Sequence, residues 1–147
     1  EVEHQAEETR RDEFESLLIE MSDIIKDEEI VLVGDFNEPS HLDWTFGAAE
    51  QGLNFGLEIN WPISSTLQSI GIIDAYREQY PDEIEFPGHT WTPIESDNEV
   101  HDRIDFIYYS GQMELKDISI IGPDHLSDIV IDYYESDHRA VFAKFRF

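Results

Sequence analysis

Asp35 and Asn37 stand two residues apart in Gly34-Asp35-Phe36-Asn37, directly after the apolar run Ile30-Val31-Leu32-Val33. In an extended chain, residues i and i+2 share a side, so a carboxylate and a carboxamide point one way and Phe36 the other. Such a pair at a strand end can hold a water, a metal ion or a phosphoryl oxygen. It can equally close an Asx turn into Glu38-Pro39-Ser40. A second acid, Asp105, interrupts the apolar pattern of Arg103-Ile104-Asp105-Phe106-Ile107 and is expected to be at least half-buried. A buried carboxylate is costly unless it is paired or hydrogen-bonded. Arg103 is one candidate partner. The other is a histidine ring, which a carboxylate orients and whose charged form it stabilises. His138, in Ser136-Asp137-His138-Arg139, is the candidate because it follows a predicted strand and neighbours another acid.

The elements that must position these groups show in the periodicity. Phe14, Leu17, Leu18, Met21, Ile24 and Ile25 recur at helical spacing and predict a core-facing helix over residues 9–25. Thr9 with Asp12 forms a capping pair at its start, and Lys26 lies at the negative end of its dipole. The uninterrupted run from Ile30 to Val33 predicts a strand buried on both faces. Residues 38–61 predict a long connection broken by Pro39, Gly47, Gly52, Gly56 and Asn60. His41 and Trp44 fall early in it, where they either line a substrate opening or, for Trp44, pack beneath the loop while His41 is solvated. A short helix over 65–70 ends at Gly71, and a second helical piece over 72–80 stops at Pro81. Strands are expected over 88–93, 103–109, 115–121, 129–134 and 139–147. In the last of these Val141, Ala143, Phe145 and Phe147 share one face, and Phe142, Lys144 and Arg146 the other.

Composition narrows the chemistry. The chain has 147 residues, 40% of them hydrophobic and 12% aromatic, enough for one domain with a substantial core. No apolar run approaches the roughly 18 residues that span a bilayer. There is no cysteine, so any metal is held by carboxylate, amide or imidazole, which points to hard ions such as Mg²⁺, Mn²⁺ or Ca²⁺. The absence of cysteine leaves the redox compartment open, and no signal segment stands at the beginning of the sequence; an extracellular or periplasmic setting is favoured. Thirty-four acidic residues against nine basic ones give a formal net charge of −25. That field repels polyanions and disfavours a long DNA duplex as partner.

In this order, the three polar signatures resemble the endonuclease/exonuclease/phosphatase superfamily of metal-dependent phosphoesterases. That group includes DNase I-type deoxyribonucleases, exonuclease III-like repair nucleases, sphingomyelinases and inositol-polyphosphate phosphatases. Gly34–Asn37 looks like its GD-F/L-N motif, Arg103–Ile107 like its R-I/L-D-Y/F-I strand, and Ser136–His138 like its S-D-H motif. Gly71-Ile72-Ile73-Asp74-Ala75-Tyr76-Arg77 and Thr90-Trp91-Thr92 are similar to secondary signatures between them. The resemblance covers the second half of the family's domain, so residues 1–147 read as a single partial domain. The fold it implies is α/β (α+β): the C-terminal half of a four-layered α/β sandwich of the DNase I-like type, with a mixed, mostly antiparallel sheet and helices on one face. It also implies an open apolar face inviting homodimerisation.

Carried over, the resemblance implies hydrolysis of a phosphate ester by in-line attack of water. Asp35 would position and deprotonate that water, helped by Asn37. His138, oriented by Asp105, would donate to a non-bridging oxygen, and Asp137 with Asp35 would hold Mg²⁺, Mn²⁺ or Ca²⁺. The substrate would be a phosphate ester such as a small molecule, lipid or nucleotide. The isolated chain is expected to have little activity without the rest of the domain. The rival reading is a non-catalytic acidic module that binds a divalent cation or a protein partner.

Overall fold

Leu17, Leu18 and Met21 form one apolar stripe on helix α1 (residues 16–24), and Met21 is buried among Ile63, Leu67, Ile72, Phe106 and Tyr108. The computed structural model describes residues 14, 16–25, 27–95, 99–111 and 113–147; the predicted capping pair Thr9/Asp12 and Lys26 lie outside them. Ile24, placed by its spacing on the buried stripe, is 47% exposed. The predicted stripe was one residue too wide for the groove that receives it.

The chain runs α1, β1 (Val31–Asp35), α2 (Phe46–Glu50), α3 (Pro62–Ser69), β2 (Ile72–Asp74), α4 (Ala75–Gln79), β3 (Asp105–Ser110), β4 (Glu114–Gly122), β5 (Ile129–Val130) and β6 (Ala140–Arg146). Two three-stranded sheets result, ordered β1-β3-β2 and β5-β4-β6; every pairing is antiparallel except β4 with β5. The expected α+β class and mostly antiparallel sheet are therefore observed. Alternation assigns the faces of the first sheet. Leu32, Phe106 and Tyr108 face α1 and α3, while Ile107 and Tyr109 face the second sheet and meet Ile118, Ile120, Val141 and Ala143. Tyr76 of α4 joins this inter-sheet core. Among the described residues no helix is long and apolar enough to cross a membrane.

Several elements depart from the sequence expectation. β1 is not buried on both faces: it is the outer strand of its sheet, and Val31 and Val33 are 45% and 62% exposed. Leu32 packs against the cluster of α1 and α3, whereas Val31 and Val33, on the other face, are largely uncovered. The 38–61 connection contains α2, capped by the Thr45 hydroxyl, and a 3₁₀ turn at Asn54–Gly56. Ile72–Asp74 is a strand and not helix, because Ile72 and Ile73 pair with Ser110 and Tyr109; the helix starts only where Asp74 caps the Tyr76 and Arg77 amides. Residues 88–93 form isolated bridges only, from Trp91 to Asp102 and to His138. The strand expected over 129–134 is two residues long, with Tyr133 at φ 61° shortly after it.

Two glycines have a physical necessity. Gly71 adopts φ 87° at the end of α3, a left-handed conformation that side-chain-bearing residues rarely take. Gly88 adopts φ 63°, and a Cβ there would lie 2.3 Å from the Tyr76 ring.

Candidate active site

Antiparallel register sets Asp35, the last residue of β1, directly opposite Asp105, the first of β3. Phe36 continues the ladder by donating to the Ile104 carbonyl at 2.8 Å. Two carboxylates thus share the inter-sheet side of the sheet at its end. His138, just before β6, comes to them from the other sheet. Its Nδ1 lies 2.8 Å from Asp105 Oδ2. An ionised carboxylate only accepts, so Nδ1 carries the hydrogen and Nε2 is left as the ring's second working atom. One ligand-type atom each from Asp35, Asp105 and His138 lies within 4.8 Å of the others. An open cavity of about 300 Å³ adjoins the carboxylates, walled by Val33, Ile107, Arg139 and Val141.

The local conformation at Asp35 combines both sequence readings. Asn37, at φ 50°, donates its backbone N–H to Asp35 Oδ1 at 2.7 Å and its side-chain amide to Oδ2 at 3.1 Å. This is an Asx turn, and it also holds the carboxylate toward Asp105 and His138. Asn37 is therefore a support of Asp35. Burial works to lower the His138 pKa, but the Asp105 hydrogen bond and the charges of Asp105, Asp35 and Asp137 outweigh it, and the net shift is upward.

Other predicted site residues sit elsewhere. Asp137 is exposed, and its carboxylate is not in the three-residue group; its carbonyl accepts from the Thr92 hydroxyl at 2.7 Å. His41 has both ring nitrogens engaged, with Ser64 Oγ at 2.8 Å and Gln68 Oε1 at 2.9 Å. It lines a separate cavity of about 360 Å³ beside α3 and β2. Trp44 is buried under its own loop, edge-to-face on Trp61, with Nε1 donating to Asp102 at 3.1 Å. A ring so enclosed is packing, and the structure brings neither His41 nor Trp44 to the carboxylate pair.

Arg103 is not the partner of Asp105. Its buried guanidinium makes paired hydrogen bonds to Asp43 and to Asp74, and Arg77 donates to Asp43 at 2.6 Å. Burial alone would lower the Arg103 pKa, but the two carboxylates raise it, so the cation persists. The sequence named Trp91 and Arg139 only within signatures and assigned neither a site role; the Trp91 ring centroid lies 4.7 Å from that of His138, and the buried Arg139 donates to the His89 carbonyl and to Asp124. A basic residue inside an apolar pattern does signal a hidden acid; which acid it meets is not readable locally.

The donor set suits a hard divalent ion, since it offers carboxylate oxygens and no thiolate. Once Nδ1 has bonded to Asp105, Asp35 is the carboxylate best placed to hold such an ion.

The model of the Endonuclease/Exonuclease/phosphatase family matches residues 3–138, a span that includes Asp35, Asp105 and His138. An uncharacterized protein of Caenorhabditis elegans is 34% identical over 135 residues, covering 84% of this chain and 42% of that protein. The chain thus spans less than half the length of the relative it matches. With the family's match running from before the first helix to the histidine of the carboxylate pair, this chain belongs to the endonuclease/exonuclease/phosphatase family, whose general chemistry is hydrolysis of phosphate esters.

Proposed function

We propose that this chain carries the water-activating and charge-stabilising part of a divalent-metal-dependent phosphoesterase. The observation that carries the reading is the 2.8 Å contact of His138 Nδ1 with Asp105, beside Asp35. Asp35, steadied by Asn37, orients the attacking water and takes its proton. His138 donates from Nε2 to a non-bridging phosphoryl oxygen as negative charge builds there. Asp105 accepts the Nδ1–H, orients the ring and favours the doubly protonated imidazolium, whose Nε2–H this donation needs. As the bond from water to phosphorus forms, the P–O bond to the ester alcohol breaks and the departing alkoxide takes a proton from solvent, a step that depends on positioning and charge stabilisation more than on covalent chemistry. Mg²⁺, Mn²⁺ or Ca²⁺ held through Asp35 supplies Lewis acidity when bound. Asp137 contributes negative potential nearby.

The net charge of −25 favours a small ester, such as a nucleotide, lipid or sugar phosphate, over long DNA. With Asp105 engaged by His138, the cluster leaves one carboxylate for the ion, the low end of the one or two that Mg²⁺ ordinarily takes alongside waters and substrate phosphate. The 147-residue chain by itself is therefore expected to turn over slowly.

Hydrolysis of bis-p-nitrophenyl phosphate with Mg²⁺ tests the reading, using the chain and the complete natural protein. Asp35→Ala and His138→Ala are each expected to lower kcat/KM by about 10²-fold or more in the protein that turns over. Unchanged turnover in both variants would remove the assignment. Binding of Mg²⁺ without turnover in the complete protein would favour the acidic binding module instead.

A further inference from the structure

The Cβ–Cγ bond and the hydrogen bond to Asp105 hold one edge of the His138 ring, and what bears on its face and on the backbone around it sets how firmly that orientation is kept. We propose that Thr90-Trp91-Thr92 is the positioning segment of the Asp105–His138 pair, with the Trp91 indole setting the rotation of the imidazole. The proposal rests on the phosphoesterase reading of His138 and deepens it.

Thr90 and Thr92 are both fully buried, and each hydroxyl is committed to one half of the pair. Thr90 Oγ1 accepts the backbone N–H groups of Ile104 and Asp105, both at 3.0 Å, and so holds the start of the strand that bears the carboxylate. Thr92 Oγ1 donates to the Asp137 carbonyl at 2.7 Å, and the Thr90 carbonyl accepts from Arg139 N at 2.7 Å. The residues on either side of His138 are thereby tied to the residues on either side of Trp91. Trp91 and His138 themselves form an antiparallel bridge. A pair drawn from two different sheets is aligned by three residues that touch both.

Between the two threonines the Trp91 ring meets the imidazole at 4.7 Å between centroids and 65° between planes. That is an ordinary edge-to-face aromatic contact, and an indole also stabilises a neighbouring cation through its ring quadrupole. The segment is braced on its far side too. Trp91 and Asp102 exchange backbone hydrogen bonds at 2.9 and 2.7 Å, and the Asp102 carboxylate accepts from Trp44. Valine at 90 would keep the shape and strand two N–H groups; leucine at 91 would keep apolar bulk and lose the flat face.

The test is NMR of the 147-residue chain at fixed pH, which needs no turnover. Wild type should show a ring-current shift at His138 Cε1–H and a protected, far-downfield Nδ1–H. In Trp91→Leu both should be lost, in Trp91→Phe both should persist in reduced form, and in Asp105→Asn the Nδ1–H alone should go. In the complete protein, Trp91→Leu should lower kcat about ten- to a hundredfold with KM nearly unchanged, and Trp91→Phe should restore most of it. His138 signals in Trp91→Leu identical to wild type, or a wild type lacking the protected Nδ1–H, overturn the proposal. Where Trp91→Leu fails to fold by circular dichroism, Trp91→Phe decides: unaltered His138 signals there overturn it, attenuated ones support it. Altered NMR signals combined with full activity of His138→Ala would leave the positioning intact and remove the catalytic reading.

Discussion

His138 gains its properties from where Asp105, Asp35 and Asp137 stand around it. Its pKa is raised in the folded state, so the charged form persists to higher pH than in a free imidazole. The sign for stability follows. The favourable contribution is complete below the unfolded value of about 6.5 and disappears as pH rises through the folded value. Asp105→Asn should abolish that increment, visible as a smaller fall in thermal midpoint across the neutral range than wild type shows. In the complete protein it should also move the alkaline limb of the pH–rate profile to lower pH and reduce kcat by about 10²-fold. At this scale the sequence was informative about identity and weak about pairing. Asp105 stands out as an acid needing a partner, and Arg103, two residues away, remains a rival to His138 for that place. Arg103 instead meets acids 29 and 60 residues distant. Local spacing cannot rank a neighbour against a residue brought by the fold.

β2 and α4 meet at Asp74, which does two jobs with one side chain. It caps the Tyr76 and Arg77 amides and accepts two hydrogen bonds from Arg103, whose side chain is 1% exposed. Asp43 completes the network from the loop after β1 and ties it to Arg77 as well. Breaking a buried pair leaves an uncompensated charge, which typically costs about 3–5 kcal/mol. Asp74→Ala is expected to lose stability in that range, read as a lower urea midpoint with the slope unchanged. The junction explains why a helix was expected over 72–80. The residues from Ala75 onward are helical, while Ile72 and Ile73 are apolar and fit either structure; pairing with β3 decides for strand. The edge position of β1 is a similar case. Its composition describes a strand able to be buried twice, and the sheet order exposes one side.

Across the molecule, one half-buried base opposes acidification. His89 is half-buried beside His101, with ring centroids 6.0 Å apart, and its partial burial together with that neighbour lowers its pKa to about 4. Between about pH 6.5 and 4 the unfolded chain binds more protons at this residue than the folded one, so stability falls as pH falls through that window. The difference amounts to on the order of 2 to 3 kcal/mol at the acid end. His89→Gln should show a shallower loss of stability than wild type from pH 6.5 to 4 in matched urea titrations. The same scale separates what each level of description determined. Alternation and helical spacing, taken from the sequence alone, specified most of the strands and helices, and the three polar signatures the candidate residues Asp35, Asn37, Asp105 and His138, because these depend on neighbours along the chain; the α+β class came from the family resemblance that those signatures carry. Tertiary structure alone decided that Asp35 faces Asp105 across a ladder, that His138 reaches them from a second sheet, and that Thr90-Trp91-Thr92 braces both. Those contacts join residues far apart in sequence, and their geometry comes from sheet register and buried hydrogen bonds that no local pattern encodes.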